Sequence, residues 1–182
     1  MKITQTKLPG VLILEPRKFS DDRGYFFEAF KKQELADAGI TCEFVQDNQS
    51  VSKRGVIRGL HYQRKPRAQA KLVRVVRGTV RDVIVDLRSD SPTYKQWIHV
   101  DLSDENLLQV FIPHGCAHGF CALTDDATLM YKCDDYYAPE TEGGIRFDDP
   151  ELNIDWGIPS DEAIVAPKDL QLPLLKDAPQ DF

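Results

Sequence analysis

A histidine and a lysine stand inside an unbalanced run of positive charge. Between Lys53 and Arg81 the chain carries ten Lys or Arg residues and no Asp or Glu, although its formal net charge is -6. His61 lies within this run, and Lys71 follows it. Such a run is either a solvated face or an anion site with a titratable base at its centre.

A His, a Lys and a Tyr that meet in one pocket could remove a proton next to a carbonyl group and return it. A neutral imidazole, with a pKa near ~6.5, is a suitable base, and a fixed cation stabilises the negative charge that develops on the carbonyl oxygen. A phenol on the other side of the substrate can return a proton. Because removal on one face and delivery on the other inverts the carbon, these residue types permit epimerisation.

The distribution of charge favours a small anionic ligand over a nucleic acid. Residues 125–182 contain fifteen acidic and four basic side chains. Overall acidity repels a large polyanion, whereas a small phosphate compound needs only a focused positive pocket. We therefore expect no nucleic-acid partner, and we interpret most of the acidic side chains as a solvated exterior.

Length and composition indicate one domain, predicted to span residues 1–182. A chain of 182 residues can bury one sizeable core. No segment approaches the roughly 18–20 apolar residues of a membrane span, and the first residues lack the apolar stretch of a signal peptide, so we expect a soluble, cytoplasmic protein without a membrane partner. The four cysteines form no CxxC pair, which predicts reduced, mostly buried thiols.

The elements that must position these residues are mainly β-strands. Short β-branched or aromatic runs separated by Gly and Pro turns are typical of a sandwich or barrel rather than of βαβ units. One helix is predicted over 31–38, with Gly39 after its end and Leu35 on its packed face. From Gly143 on, we expect loops and short helical turns around the β-core. The predicted strands cover 11–14, 25–30, 56–60, 71–77, 79–87, 96–100, 109–112, 119–123 and 128–133.

Two polar segments stand outside this pattern. The Asp-Asp-Arg-Gly sequence at 21–24 predicts a turn that enters an aromatic strand. The amide-rich segment 46–50 is either a surface loop or a ligand contact, and composition alone does not choose between the two.

The spacing of Gly, His and Lys residues resembles the two motifs of a cupin. The resemblance implies a mainly β fold: a cupin-type double-stranded β-helix (jelly-roll barrel) with a few short peripheral helices. Where metal-binding cupins have a second His and a Glu, this chain has Gln63 and Lys71. An ammonium repels a divalent ion and two histidines make an incomplete site, so we expect no metal. The matching positions are Gly55, His61, Gln63, Lys71 and Gly78, followed by Pro113, Gly115 and His118.

Seven fragments, in this order, resemble the dTDP-4-dehydrorhamnose 3,5-epimerase family. The resemblance runs from about Leu12 to Leu174. It implies a cofactor-independent isomerase that epimerises dTDP-4-dehydro-6-deoxy-D-glucose at C3 and C5, giving dTDP-4-dehydro-L-rhamnose in dTDP-L-rhamnose biosynthesis. The fragments are 22–26, 46–48, 58–63, 70–74, 115–120, 131–139 and 168–169.

The resemblance also implies a catalytic role for four residues. His61 is expected to remove the C3 and C5 protons, and Asp169 to orient and polarise it. Tyr131 is expected to act as the acid on the opposite face, and Lys71 to stabilise the enolate oxygen at C4.

The implied substrate contacts are distributed over the whole chain. Arg23, Arg58 and Lys168 are expected to hold the diphosphate or sugar region, where cations suit an anion. Tyr137 is expected to stack on thymine. Because Tyr136 and Tyr137 are neighbours on an extended segment, only one of them can face the ligand. The further contacts implied are Phe26, Glu28, Gln46, Asp47, Asn48, His118 and Glu142.

Members of this family are homodimers with strand exchange, so the resemblance implies that part of each site comes from the other subunit. Several alternatives stay open at this point. His118 could be a structural remnant of the metal motif. The activity could be restricted to C3 or to C5 of a related dTDP-4-keto-6-deoxysugar, or the chain could be a non-catalytic cupin that binds a nucleotide sugar.

Overall fold

Two β-sheets pack against each other in the computed structural model, which describes residues 1–179 and 182. One sheet has the strand order β1-β2-β10-β7-β12-β5, and the other has the order β13-β6-β11-β8-β9 with β14 added parallel to β6. The strands are β1 Lys2–Gln5, β2 Leu12–Glu15, β3 Phe19–Asp21, β4 Gly24–Phe26, β5 Gln46–Ser52, β6 Val56–Gln63, β7 Lys71–Arg77, β8 Thr79–Asp86, β9 Trp97–Ser103, β10 Gln109–Ile112, β11 Cys116–Ala122, β12 Ala127–Cys133, β13 Glu142–Gly144 and β14 Ile164–Val165.

The chain passes repeatedly from one sheet to the other, for example from β6 to β7 to β8 and from β10 to β11 to β12. This alternation produces the jelly-roll barrel of a cupin, so the predicted fold class is confirmed. Val73 and Leu129 of the first sheet share a fully buried cluster with Val80, Ile84 and Leu102 of the second. Burial of these β-branched and aliphatic side chains holds the two sheets together.

The helices are few and short, as predicted. They are α1 Lys32–Asp37 and α2 Pro167–Leu170, with 3-10 turns at Pro139–Thr141, Ser160–Glu162 and Leu175–Asp177. The predicted helix corresponds to α1, and its Leu35 is buried. Gly39 follows the helix at a φ of 88°, a conformation that glycine adopts without a Cβ penalty. None of the helices within residues 1–179 and 182 is long and apolar enough to cross a membrane.

The surface-loop alternative for residues 46–50 is wrong, because these residues belong to β5. Strand β5 pairs with β12 in antiparallel register, with Asn48 opposite Tyr131. Gln and Asn have low strand propensity, but the backbone of β12 supplies hydrogen-bond partners that outweigh that preference. Alternate side chains of β5 therefore face the barrel interior.

Strand β6 contains a bulge that changes the direction of one side chain. His118 of β11 pairs with His61 of β6, and Phe120 pairs with Arg58. The two β6 residues are three positions apart and their β11 partners only two, so β6 contains one extra residue. At this point Gly59 has a φ of 125°, and a Cβ on it would lie 2.5 Å from Gly119 Cα. The extra residue allows both residue 58 and residue 61 to face the pocket, although a regular strand would direct them to opposite faces.

The thiols agree with the prediction from the sequence. All four cysteines are free, and Cys116, Cys121 and Cys133 are buried. Burial raises the pKa of Cys116 to about 12 and that of Cys121 to about 11. These thiols therefore stay protonated and unreactive near neutral pH.

Candidate active site

A pocket of about 810 Å³ opens between the inward faces of β5, β6, β7, β11 and β12, and the segment around β14 and α2 forms one wall. It brings together all four residues predicted to be catalytic and seven of the eleven predicted substrate contacts. Those contacts are Gln46, Asn48, Arg58, His118, Tyr137, Glu142 and Lys168.

His61 and Asp169 form a hydrogen-bonded pair on this wall. His61 Nε2 lies 2.8 Å from Asp169 Oδ1, although 108 residues separate them in the chain. The parallel pairing of β14 with β6 brings α2, which carries Asp169, alongside His61. The backbone N–H of Gly59 reaches the other carboxylate oxygen at 3.5 Å.

The carboxyl group of Asp169 is ionised at neutral pH. Burial alone raises its pKa, but the hydrogen bond and charge of His61, the Gly59 N–H and the Lys168 ammonium outweigh burial and lower the pKa below its usual value. An ionised carboxylate accepts the Nε2 proton of His61, so we assign the lone pair to Nδ1. Nδ1 is then the basic nitrogen.

A second buried His–Asp pair lies next to the first. His118 is the cross-strand partner of His61, and its Nε2 lies 2.7 Å from Oδ1 of Asp82. Asp82 is 0% exposed, and within residues 1–179 and 182 its Oδ2 has no hydrogen-bond partner. Asp82 was not among the predicted site residues; the strand that carries it also contains Arg81 and Asp86, so the acid alone was not a distinctive signal.

Lys71 and Tyr131 face the pocket from the opposite sheet. Lys71 Nζ lies 5.8 Å from the centroid of the Tyr131 ring. Burial lowers the pKa of Lys71, and the nearby Cys133, Asp82 and Glu142 only partly oppose this effect. Burial raises the pKa of Tyr131, so its phenol keeps a proton that it can donate near neutral pH.

Arg58 extends along β5 with one edge of its guanidinium group engaged. Its Nε donates to Ser52 Oγ at 3.2 Å, and its Nη2 donates to the Val51 carbonyl at 3.3 Å. The side chain is exposed at the mouth of the pocket. A guanidinium held on one edge presents its remaining donors to an anion in a fixed orientation.

Tyr137 is the member of the tyrosine pair that lines the pocket, and its stacking on thymine stays a prediction. Its hydroxyl donates to Glu142 Oε2 at 3.0 Å, and its backbone N–H donates to Gln46 Oε1 at 3.0 Å. Tyr136 does not line the pocket.

Four predicted contacts lie outside this pocket. Arg23 is on the exposed β3–β4 hairpin, where it pairs with Asp21 at 2.6 Å. Phe26, on the same hairpin, is 66% exposed. Glu28 pairs with Lys31 at 3.4 Å. Asp47 points to the other face of β5, where Lys132 donates to both of its oxygens at 2.9 Å; the substrate contacts of all four stay predictions.

Two further groups in the pocket wall were not predicted. Ser50 lines the pocket, and its Oγ is buried without a hydrogen-bond partner within residues 1–179 and 182. The segment 164–167 supplies an apolar wall. Once residues 46–50 are assigned to a strand, the alternation of Gln46, Asn48 and Ser50 would have indicated the serine.

Gln63 stands where a metal-binding cupin has a histidine ligand, but its side chain is used for hydrogen bonds. Within the described part of the chain, the Gln63 amide hydrogen-bonds to three backbone groups in the loops next to the pocket. Among the residues that the structure describes, no three His, Cys, Asp or Glu side chains form a group that could hold a metal ion.

Comparison with known proteins places this geometry in one family. A family model described as dTDP-4-dehydrorhamnose 3,5-epimerase matches residues 5–177. The dTDP-4-dehydrorhamnose 3,5-epimerase of Methanothermobacter thermautotrophicus is 48% identical over 179 residues, 98% of this chain and 96% of that relative. The dTDP-4-dehydrorhamnose 3-epimerase of Streptomyces niveus is 41% identical and covers 98% of this chain and 86% of its own length.

The fold also matches solved structures closely. The dTDP-6-deoxy-D-glucose-3,5-epimerase of Legionella pneumophila, solved in complex with dTDP-4-keto-L-rhamnose, superimposes with a TM-score of 0.92 at 46% identity, covering 97% of this chain and 93% of that one.

Proposed function

The chain belongs to the dTDP-4-dehydrorhamnose 3,5-epimerase family, and on this premise we propose how its pocket converts dTDP-4-dehydro-6-deoxy-D-glucose into dTDP-4-dehydro-L-rhamnose, a step of dTDP-L-rhamnose biosynthesis. One observation carries the proposal. A His–Asp pair, with His61 on one sheet and Asp169 on α2 beside it, faces the same cavity as a protonated tyrosine and a lysine on the other sheet. Inversion of a carbon by this route requires one group that removes the proton on one face and a second that returns a proton on the other.

His61 removes the proton. Its Nδ1 takes the proton from C3 and from C5, because both carbons are next to the C4 ketone and their anions are stabilised as enolates. Asp169, hydrogen-bonded to Nε2, stabilises the imidazolium that forms. The electron pair of the broken C–H bond moves to the C4 oxygen, where Lys71 stabilises its charge.

Tyr131 returns the proton from the other face. The enolate collapses, C3 or C5 takes the phenolic proton, and the carbon is inverted. The phenolate regains a proton from solvent, and His61 releases its proton to solvent. Arg58 and Lys168 bind the diphosphate, and Tyr137 stacks on the thymine, with the remaining polar groups around the sugar.

The function is tested by supplying the ketosugar nucleotide in D₂O and following C3 and C5 by NMR. We expect deuterium at both carbons of the inverted product. Tyr131→Phe should exchange deuterium while forming about 10²-fold less inverted product, since His61 can return deuterium to the face from which it removed the proton. Absence of exchange with the wild-type protein would contradict the proposal.

A second candidate is epimerisation at C3 alone. The relative from Streptomyces niveus, named a 3-epimerase, is 41% identical to this chain. Deuterium confined to C3 in the same NMR spectrum would identify this activity.

We also propose that the chain acts as a homodimer in which the β3–β4 hairpin completes the pocket of the partner. The hairpin carries three large exposed aromatic side chains, Phe19, Tyr25 and Phe26. Arg23 beside them is exposed as well. Aromatic and cationic groups suit a nucleotide diphosphate, but here they lie outside the chain's own pocket.

Mixing two inactive variants tests the shared site. His61→Ala removes the base, and Arg23→Ala combined with Phe26→Ala removes the hairpin contacts. After the subunits are exchanged, each mixed dimer has one intact pocket facing an intact hairpin, so we expect activity to return to about a quarter of wild type. A mixture that stays inactive although size-exclusion chromatography and mass spectrometry show mixed dimers would contradict the shared site.

The proposal also covers the number of domains and the cellular compartment. The family match over residues 5–177 supports a single epimerase domain over residues 1–182. The four free cysteines support a reducing compartment, which for this biosynthetic step is the cytoplasm.

A further inference from the structure

We propose that Gln63 is a positioning residue for Tyr137: its side-chain amide fixes the backbone on both sides of the tyrosine. This inference rests on the proposed function, which assigns the Tyr137 ring to the thymine of the substrate. Gln63 occupies the position at which a metal-binding cupin has a histidine ligand, but its hydrogen bonds point to a different task.

The bonds of Gln63 bracket Tyr137. Its Nε2 donates to the Tyr136 carbonyl at 3.2 Å, and its Oε1 accepts from the Ala138 N–H at 2.8 Å. These two backbone groups immediately precede and follow Tyr137. The amide therefore holds this turn of the chain at two points.

A third bond connects the same amide to the loop between β6 and β7. Nε2 also donates to the Arg67 carbonyl at 2.6 Å. Gln63 is 5% exposed, and both amide hydrogens and the carbonyl oxygen are engaged. No donor remains for a ligand, so Gln63 influences binding through the backbone that it holds.

Packing alone does not hold the Tyr137 ring, which is 55% exposed. Polar contacts hold the residue: the side-chain Oε1 of Gln46 accepts from the Tyr137 backbone N–H, and Glu142 accepts from its hydroxyl. Glu142 is itself the cross-strand partner of Gln63. An aromatic ring fixed before the ligand arrives loses less conformational entropy on binding.

Only an amide satisfies this arrangement of one donor N–H and two acceptor carbonyls. A carboxylate accepts the Ala138 N–H but places negative charge against the carbonyls of Arg67 and Tyr136. Gln63→Glu keeps the shape of the side chain and removes both donors. Gln63→Met keeps the approximate volume and removes every hydrogen bond, so it serves if the glutamate variant fails to fold.

The test compares dTDP with inorganic pyrophosphate as calorimetric probes. Gln63→Glu or Gln63→Met should weaken dTDP binding about tenfold, since buried hydrogen bonds are lost and the ring must be ordered on binding. Pyrophosphate, which has no base, should bind within about twofold of wild type. KM for the sugar nucleotide should rise while kcat changes less than about threefold.

A double-mutant cycle separates positioning from a general structural effect. In a Tyr137→Ala background, the Gln63 substitution should cost no further dTDP affinity, because the ring that it positions is absent. Gln33→Glu on α1 makes the same change of charge far from the pocket and serves as the control. Lower pH should restore dTDP affinity to Gln63→Glu, whose protonated carboxyl regains one donor, but not to Gln63→Met.

Three results would overturn the inference: unchanged dTDP affinity in a folded Gln63 variant, equal losses for dTDP and pyrophosphate, or full additivity in the cycle. A wild-type protein that binds dTDP no more tightly than pyrophosphate would instead overturn the assignment of the thymine to Tyr137, and the inference with it. The wild-type comparison thus distinguishes failure of the proposed function from failure of the role of Gln63 alone.

Discussion

His61→Ala should lower deuterium exchange at C3 and C5 about 10³-fold or more, because it removes the group that takes the substrate proton. Within residues 1–179 and 182, the other histidine that lines the pocket is His118. The neighbouring His118 directs Nε2 towards Asp82 at 2.7 Å, and it lies on β11, the strand next to the one that carries His61. NMR in D₂O measures the exchange, and circular dichroism checks the fold.

His99→Ala is the matched control for this substitution. His99 is exposed on β9, an edge strand of the sheet that also contains β6. The His99→Ala variant should keep the wild-type rate of exchange. Exchange at the wild-type rate in folded His61→Ala would remove His61 from the mechanism and would shift attention to His118.

Lys71→Met should lower kcat about 10²- to 10³-fold, the usual effect of removing a group that stabilises a developing oxyanion. Exchange and inversion should fall together, since neither proceeds without the enolate. This result would differ from that of Tyr131→Phe, which we expect to separate exchange from inversion. Lys95→Met, which breaks an exposed pair with Glu151, is the control.

The pH profile gives a second test of Lys71. Burial lowers its pKa below the ordinary lysine value, so the ammonium loses its proton, and the enzyme its activity, as the pH rises through that lowered pKa. The alkaline limb of kcat should therefore lie below pH ~10.4, and Lys71→Arg, if active, should move it upward. If the alkaline limb of kcat stays at the same pH in Lys71→Arg, the titrating group is not Lys71.

The two positions that distinguish this barrel from a metal-binding cupin have separate tasks. Lys71 replaces a ligand with a fixed cation close to Tyr131. Gln63 replaces a ligand with an amide that binds three backbone groups. Under the proposed function, we assign the first position to charge and the second to the backbone around Tyr137.

The sequence by itself determined the elements that depend on local pattern. β-branched and aromatic runs between turn residues identified most strands, because these side chains favour the extended backbone. The glycine at position 39 indicated where the helix ends. The candidate catalytic residues came from motif spacing and family resemblance, and the structure brings all four into one pocket.

Only the tertiary structure decided how distant segments meet. Asp169 reaches His61 because β14 pairs with β6, and Asp82 faces His118 because β8 and β11 are neighbours. Segment 46–50 is a strand because β12 lies beside it. The pattern of residues within one strand does not show which distant strand lies beside it. The pairing of strands far apart in the chain is therefore seen only in the structure.

The β6 bulge shows most clearly why the convergence of side chains on the pocket depends on tertiary structure. Arg58 and His61 are three residues apart, and regular alternation would separate them onto opposite faces of the strand. One extra residue opposite β11, where Gly59 and Gly119 approach closely, turns both side chains into the pocket. The residue types were present in the sequence, but their convergence depends on a backbone irregularity that only the pairing of β6 with β11 creates.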